Sequence, residues 1–310
     1  MPVSALRSAK RLRSRALRIV CLAVLVYVGH REPISTCVSV GLTTQPSVPL
    51  PLLRDGHLKH AVLDTGRGFK VGSTNPLLRW ASPFYALLMA LALIAFWPGY
   101  LAVPKPTLGG WLHFHAVSGA LWMLMLIAQP WAIQSGRRKL HVYLGRASLL
   151  LAPLVLVGFV GLAHSSMQGK SPQGQAIDAY FFYIRVVLVT IFVTTFVMGM
   201  VNRRRPAFHS RYMMCTGLPL IDPVVHRIAQ RAIGGADLNY QLLTFGVVGA
   251  ILAMLILAEW NAPSARRVFP IVLAAFILGG LPLALDFHTW GAPWTIWKSL
   301  SSRFAALPLT

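Results

Sequence analysis

The stretch Trp111–Leu162 decides the fold: WLHFHAVSGALWMLMLIAQPWAI, then QSGRRKLH, then VYLGRASLLLAPLVLVGFVGL. Two long apolar runs flank a short loop holding Arg137, Arg138 and Lys139. A bilayer's hydrocarbon core is roughly 30 Å thick, and a helix rising about 1.5 Å per residue needs about 20 apolar residues to cross it. Both runs reach that length, so each is expected to span. Basic residues clustered beside membrane helices stay on the cytoplasmic side, so the loop also gives the hairpin a direction.

Working outward, the composition agrees with a lipid solvent. Apolar residues make up 55% of the 310-residue chain and charged residues 12%, with a mean hydropathy of +0.61. The predicted class is all-α: a polytopic membrane helix bundle of about seven transmembrane helices. The formal charge of +21 does not point to nucleic acid. Twelve of the 29 basic residues precede Trp80, and most of the others fall in short loops between apolar runs. That is the positive-inside pattern, not a basic groove. Cys21, Cys37 and Cys215 have neither metal-ligand spacing nor a paired framework.

Residues 1–79 read as a basic leader. Arg7, Lys10, Arg11, Arg13, Arg15 and Arg18 precede a short apolar run, Ile19–Val28, and a polar stretch without periodicity follows. A signal or transit segment and an extension upstream of the true start both fit. Residues 80–289 form the bundle and 290–310 a tail. The first run, Ser82–Ala102, ends at Pro104 and Pro106, with Trp97 and Tyr100 at the interface. After the hairpin come Ala179–Val201, a basic loop holding Arg203, Arg204 and Arg205, and a less apolar fifth run, Ala207–Arg227. Asn239–Glu259 and Arg267–Leu285 complete the seven. The tail Trp290–Phe304 carries Trp290, Trp294 and Trp297 as interfacial anchors. With the amino end cytoplasmic, inner loops hold Arg137–Lys139, Arg203–Arg205, Arg266 and Arg267, against Lys105, Lys170, Arg227 and Arg231 outside. A multi-pass protein of the cell membrane is expected, with the bacterial inner membrane and its lipid bilayer as surroundings.

This topology sorts the histidines into two layers. His113, His115, His164, His226 and His288 fall at outer helix ends, while His141 and His209 each follow a basic loop at inner ends. Polar residues at membrane depth are costly and point to function, although a histidine at a helix end also sits comfortably among headgroups. His115 shares a face with Ser118, Gly119 and Trp122, where a neighbouring helix or a flat cofactor can approach. Asp222 lies one turn before His226 and is placed to orient a ligating imidazole, or to pair with Arg227. Pro219 and Pro223 mark the fifth run as the irregular, site-forming segment. Arg146, Arg185 and Arg211 lie one or two turns inside helix ends, and headgroup contact is the simple reading for Arg185. Walker, dinucleotide, HExxH and GxSxG motifs are absent from the sequence. Intramembrane carboxylates (Asp222, Glu259, Asp286) are few for an ion-coupled transporter, and no inverted repeat is visible. Bis-histidine haem needs only facing histidines and an apolar slot.

Leu140-His141-Val142-Tyr143-Leu144-Gly145-Arg146 and His209-Ser210-Arg211-Tyr212-Met213 resemble the LHxxLGR-like turn and HxRxM-like segment of the bacterial membrane proteins grouped as domain-of-unknown-function 2306. The likeness covers roughly Trp80–Arg227 and carries no established activity. More distantly, the His115-to-His141 hairpin is similar to cytochrome b-561-type proteins, which bind one b haem near each membrane face. That resemblance implies haem b, a quinone or other redox partner, and electron transfer. Iron at the inner site would take His141 and His209, with Arg146 and Arg211 beside the propionates. The outer site would take His115 with His164 or His226, and Asp222 behind. The competing expectation is a non-catalytic membrane protein that binds or moves a lipid or small solute.

Overall fold

The computed structural model describes residues 76–104, 108–169, 172–234, 240–261 and 265–309. The basic leader lies outside the described residues, apart from its last four positions. Among the described residues the chain is all-helical: α1 (Pro76–Phe96), α2 (Gly110–Gln134), α3 (Arg138–Ser165), α4 (Pro172–Val201), α5 (Pro206–Cys215), α6 (Ile221–Ile233), α7 (Tyr240–Ala258), α8 (Val268–Ala284) and α9 (Ala292–Ala305). A π turn, Trp97–Leu101, closes α1, and a 3-10 turn, Leu218–Leu220, separates α5 from α6.

Among the described residues, five segments are long and apolar enough to cross a membrane: Arg79–Leu101, Gly110–Gln134, Arg138–Ser165, Ile177–Val201 and Tyr240–Ala258. The helix Val268–Ala284 is apolar but shorter. Between 22% and 39% of each span's apolar core window is buried, so most of it faces outward, as a helix surrounded by lipid requires. Leu87, Ile94, Leu124, Leu150 and Met254 are among the large side chains left exposed. The fifth apolar run is not one helix. It breaks at Thr216–Leu220, where Pro219 cannot donate to the Cys215 carbonyl.

Several boundaries move from those expected. Helix α1 begins at Pro76, six residues before Ser82, because Pro83 is accommodated inside the helix. The Ser82 hydroxyl donates to the Ile127 carbonyl at 2.9 Å and ties α1 to α2. Helix α3 begins at Arg138, so the α2–α3 loop shrinks to Ser135-Gly136-Arg137. Gly136 turns it at φ +70°, a conformation that favours glycine, and Arg137 stacks on Trp131 at 4.7 Å. The tail is the helix α9, and it packs against α4. Trp297 Nε1 donates to the Ala179 carbonyl at 2.8 Å, and Phe182 stacks between Trp297 and Phe304.

With α5 and α6 taken as one broken segment, successive apolar segments run in opposite directions, so the loops alternate between two ends. The basic loops (135–137, 202–205 and the segment before α8) share one end, called here the basic end. The core centres on Trp122, fully buried and edge-on to Phe192 at 5.1 Å and Phe196 at 5.6 Å. Helices α2 and α3 touch through Gly158 and Gly161. A Cβ on Gly161 would lie 2.0 Å from the Trp111 ring, so only glycine admits that contact.

Candidate functional site

The first turns of α3 and α5 both start at the basic end, and each carries a histidine. Pro206 opens α5 at its first helical position, where a missing N–H costs nothing. At the end of α4, carbonyls without an intrahelical partner need donors. Asn202 Nδ2 takes the Met198 carbonyl at 2.8 Å, and His209 Nδ1 takes that of Gly199, also at 2.8 Å. The lack of a side chain on Gly199 lets Met213 of α5 come close. With Nδ1–H donating, His209 presents the lone pair of Nε2, the arrangement that orients a ligating imidazole.

That ring meets His141. The two ring centroids are 6.4 Å apart with planes at 86°, across a sequence separation that only the fold could close. Beside them lies Gln129 of α2. A Cβ on Gly145, one turn from His141, would stand 3.8 Å from Gln129 Nε2. Both His141 Nδ1 and Gln129 Oε1 are buried without a hydrogen-bond partner. Buried polar atoms are almost always satisfied, so a ligand held here would have two open polar atoms to meet. The inner pair expected from the sequence is therefore brought together.

The cations expected beside it behave differently. Arg211 is 4% exposed and forms a two-pronged pair with Glu259, Nε to Oε2 at 2.5 Å and Nη2 to Oε1 at 2.6 Å. Its Nη1 donates to the Ala207 carbonyl at 2.6 Å. The guanidinium is thus committed to a carboxylate of its own chain, which corrects its expected place beside a propionate. Arg146 is exposed. The Arg211–Glu259 pair escaped the sequence reading. Its signal was there: one carboxylate closes α7 at the same end as the arginine one turn into α5.

At the opposite end the expected histidines stay apart. His115 packs edge-on to Phe159 at 5.6 Å. Its small-residue face is filled by α3, since a Cβ on Gly158 would lie 3.0 Å from Ser118 Oγ and 3.1 Å from His115 Cα. His164 is 1% exposed, hydrogen-bonded to Gln168 at 3.2 Å and edge-on to Phe304. His226 lies between Phe181 at 6.3 Å and Tyr240 at 5.8 Å. Asp222 accepts from Thr244 Oγ1 at 2.5 Å and from Gln241 Nε2, both on α7. Its hydrogen bonds bind α6 to α7 and do not orient His226. Arg185 donates to Ser166 Oγ at 2.8 Å, so it is held inside the bundle, not among headgroups.

Among the described residues, no three histidine, cysteine or acidic side chains are grouped to hold a metal ion. The basic end offers a two-imidazole donor set. A zinc-type site asks for three or four protein ligands, whereas a porphyrin supplies four donors itself and asks the protein for two. His141 and His209, 6.4 Å apart between ring centroids, are the two residues that would supply such a pair. Comparison of the chain with family models, with curated proteins and with solved structures finds no match.

Proposed function

We propose that this chain is a multi-pass protein of the cell membrane, in bacteria the inner membrane, that binds one b-type haem at its cytoplasmic end. It would serve as an electron carrier or a membrane oxidoreductase subunit with a quinone or other redox partner. Seven crossings are inferred by counting α8 and the broken α5–α6 segment with the five long helices. The basic loops then lie in the cytoplasm with the amino end. The resemblance to the domain-of-unknown-function 2306 group belongs to the same proposal.

One observation carries the reading: His141 and His209 meet ring to ring at 6.4 Å, with the His209 tautomer set by Gly199. The residues fit the group through this donor set and the unsatisfied atoms beside it. His141 and His209 would hold the iron, and Arg146 is the remaining cation for a propionate. The outer haem of a b-561-like protein is left out of this proposal, since His115, His164 and His226 each pack against an aromatic ring. A bound haem b would supply one-electron transfer. The chain's own part is to hold both imidazoles through first-turn backbone and to fix one proton at His209 Nδ1.

The test is the absorption spectrum of detergent-purified protein. A Soret band is expected, lost with His141→Ala or His209→Ala and retained with His288→Ala. Protein that purifies colourless from haem-replete cells, and takes up no haem on reconstitution, would refute the reading. A lipid- or solute-binding protein would then lead, favoured by the wholly apolar groove between α2 and α3. That groove has a volume of about 360 Å³ and is lined by Leu121, Leu124, Leu150 and Leu154 among others.

A further inference from the structure

The two sides of α5 meet different surroundings. His209 and Met213 turn toward Gly199 of α4. Arg211, Met214 and Cys215, about half a helical turn round, face α1, α7 and α8. On that second side lies a notch of about 130 Å³ between α1 and α7. Its floor is buried: Ala81 and Tyr85 of α1, Cys215, Leu218 of the 3-10 turn, and Phe269 of α8. Its rims are partly open: Leu77, Trp80 and Phe84 on α1, with Ile251 and Leu255 on α7. A closed floor between two open-rimmed, membrane-long helices makes a notch that opens sideways into lipid.

Its depth follows from the helix ends. Leu77 is the second residue of α1, Phe269 the second of α8, and Leu255 stands about one turn from the end of α7. All three ends belong to the basic end, so the notch lies in that half of the bilayer. The Arg211–Glu259 pair stands over it on the water side. Arg211 is one turn before Cys215 and Glu259 one turn after Leu255, each on the face of its helix that lines the notch. The way in is therefore from the membrane.

The lining selects the guest. It is apolar, and the Tyr85 hydroxyl is turned to the Met214 carbonyl, so a polar head placed inside would leave its hydrogen bonds unmade. An apolar cavity of roughly 150 Å³ stays dry and holds a benzene-sized guest. The same bulk is a few methylenes of an acyl chain. The rims also select the headgroup. Trp80 and Trp260, 67% and 68% exposed, stand on the two rim helices at the level of interfacial aromatic residues. Arg266 and Arg267, both exposed, immediately precede the turn of α8 that brings Phe269 to the floor. Basic residues beside a gap between membrane helices favour an anionic lipid.

We propose that the notch holds one acyl chain of an anionic phospholipid from the leaflet at the basic end, with its phosphate at Arg266 and Arg267. The site lies across α5 from the histidine pair and does not depend on the haem reading.

The experiment places the full chain in phosphatidylcholine nanodiscs doped with phosphatidylglycerol brominated in the upper half of its acyl chains. Bromine quenches indole emission on contact. The Trp80 signal is the difference between native protein and Trp80→Phe. Trp97, 62% exposed at the other end of α1, is read likewise through Trp97→Phe and reports ordinary bilayer contact. Trp80 should be quenched at a lower phosphatidylglycerol fraction than Trp97. Leu255→Phe, which fills the notch from its rim, should bring Trp80 back into step with Trp97; if that variant does not fold, Ile251→Phe on the same rim replaces it. Arg266→Gln and Arg267→Gln should each raise the fraction needed about fivefold, whereas Lys139→Gln, exposed at the same end beside the α2–α3 loop, should not. Trp80 quenched only in step with Trp97, or equally by brominated phosphatidylcholine, would overturn the site. A preference that survives the rim variant or both arginine variants would also refute it. So would Trp80 shielded from every brominated lipid in a protein dimer, which would put a second copy over the notch.

Discussion

Replacing Glu259 by Gln keeps the shape of the side chain and removes its charge. In the native bundle both partners of the Arg211–Glu259 pair are withdrawn from water, at 4% and 8% side-chain exposure, with contacts of 2.5 and 2.6 Å. Glu259→Gln would leave an uncompensated guanidinium in that place, and removing one partner of a buried pair costs about 3–5 kcal/mol. The loss should be nearly independent of salt, because buried charges are poorly screened. Removing both charges is a different perturbation. Arg211→Met with Glu259→Leu should return to within about 1 kcal/mol of the native protein, since well-packed apolar residues often replace a buried pair without loss. Reversible unfolding of micellar protein by denaturing detergent, read by tryptophan fluorescence, supplies all four corners of the cycle. A Glu259→Gln loss below about 1 kcal/mol would show that the pair is solvated, and the reasoning that α5 is clamped to the end of α7 would fail.

Other expectations follow from single contacts. Gly161→Ala places a Cβ 2.0 Å from the Trp111 ring and should cost about 1–3 kcal/mol in the same unfolding assay, with partial recovery when Trp111 is shortened to Leu. Gly136→Ala must adopt φ +70° and should cost about 1–2 kcal/mol, without changing the Soret band of the haem-loaded protein. Reporter fusions at Gly136 and Arg204 should report the cytoplasm and fusions at Gln168 and Gly235 the opposite side. A periplasmic signal at Arg204 would overturn the proposed register.

Much of the bundle was legible because its signals are local. Apolar length, prolines and basic loops fix where helices begin and end, and His141 and His209 could be paired because each follows a basic loop at the same end. Partners on separate helices were less legible. Asp222 was read against His226, its neighbour one turn away, whereas the fold turns it to Gln241 and Thr244 on α7. Arg211 was read as free for an external anion, and Glu259 of a distant helix takes it. Helix direction gives a residue's depth, but the face it presents depends on packing, which no single helix's sequence contains. The His115 face shows the same limit: small residues admit either a helix or a cofactor, and α3 is what enters.

The broken segment between Pro206 and Ile233 shows how depth and face are set together. Ten residues of α5 and thirteen of α6 span about 15 and 20 Å at 1.5 Å per residue. Joined through the 3-10 turn they exceed the roughly 30 Å of hydrocarbon, so neither half crosses alone but the segment can. Freed carbonyls at membrane depth are tolerated only inside protein, and here the break is covered. Thr216 is fully buried and its hydroxyl returns to the Met213 carbonyl at 2.6 Å. The Tyr85 hydroxyl donates to the Met214 carbonyl, its ring packed where any side chain on Gly217 would sit. The 3-10 turn winds about 120° per residue against about 100° in an α-helix. Three such residues rotate the following helix by roughly 60° relative to an unbroken one. That rotation lets one segment turn Arg211 onto Glu259 and His209 toward His141, and still turn Asp222 onto α7.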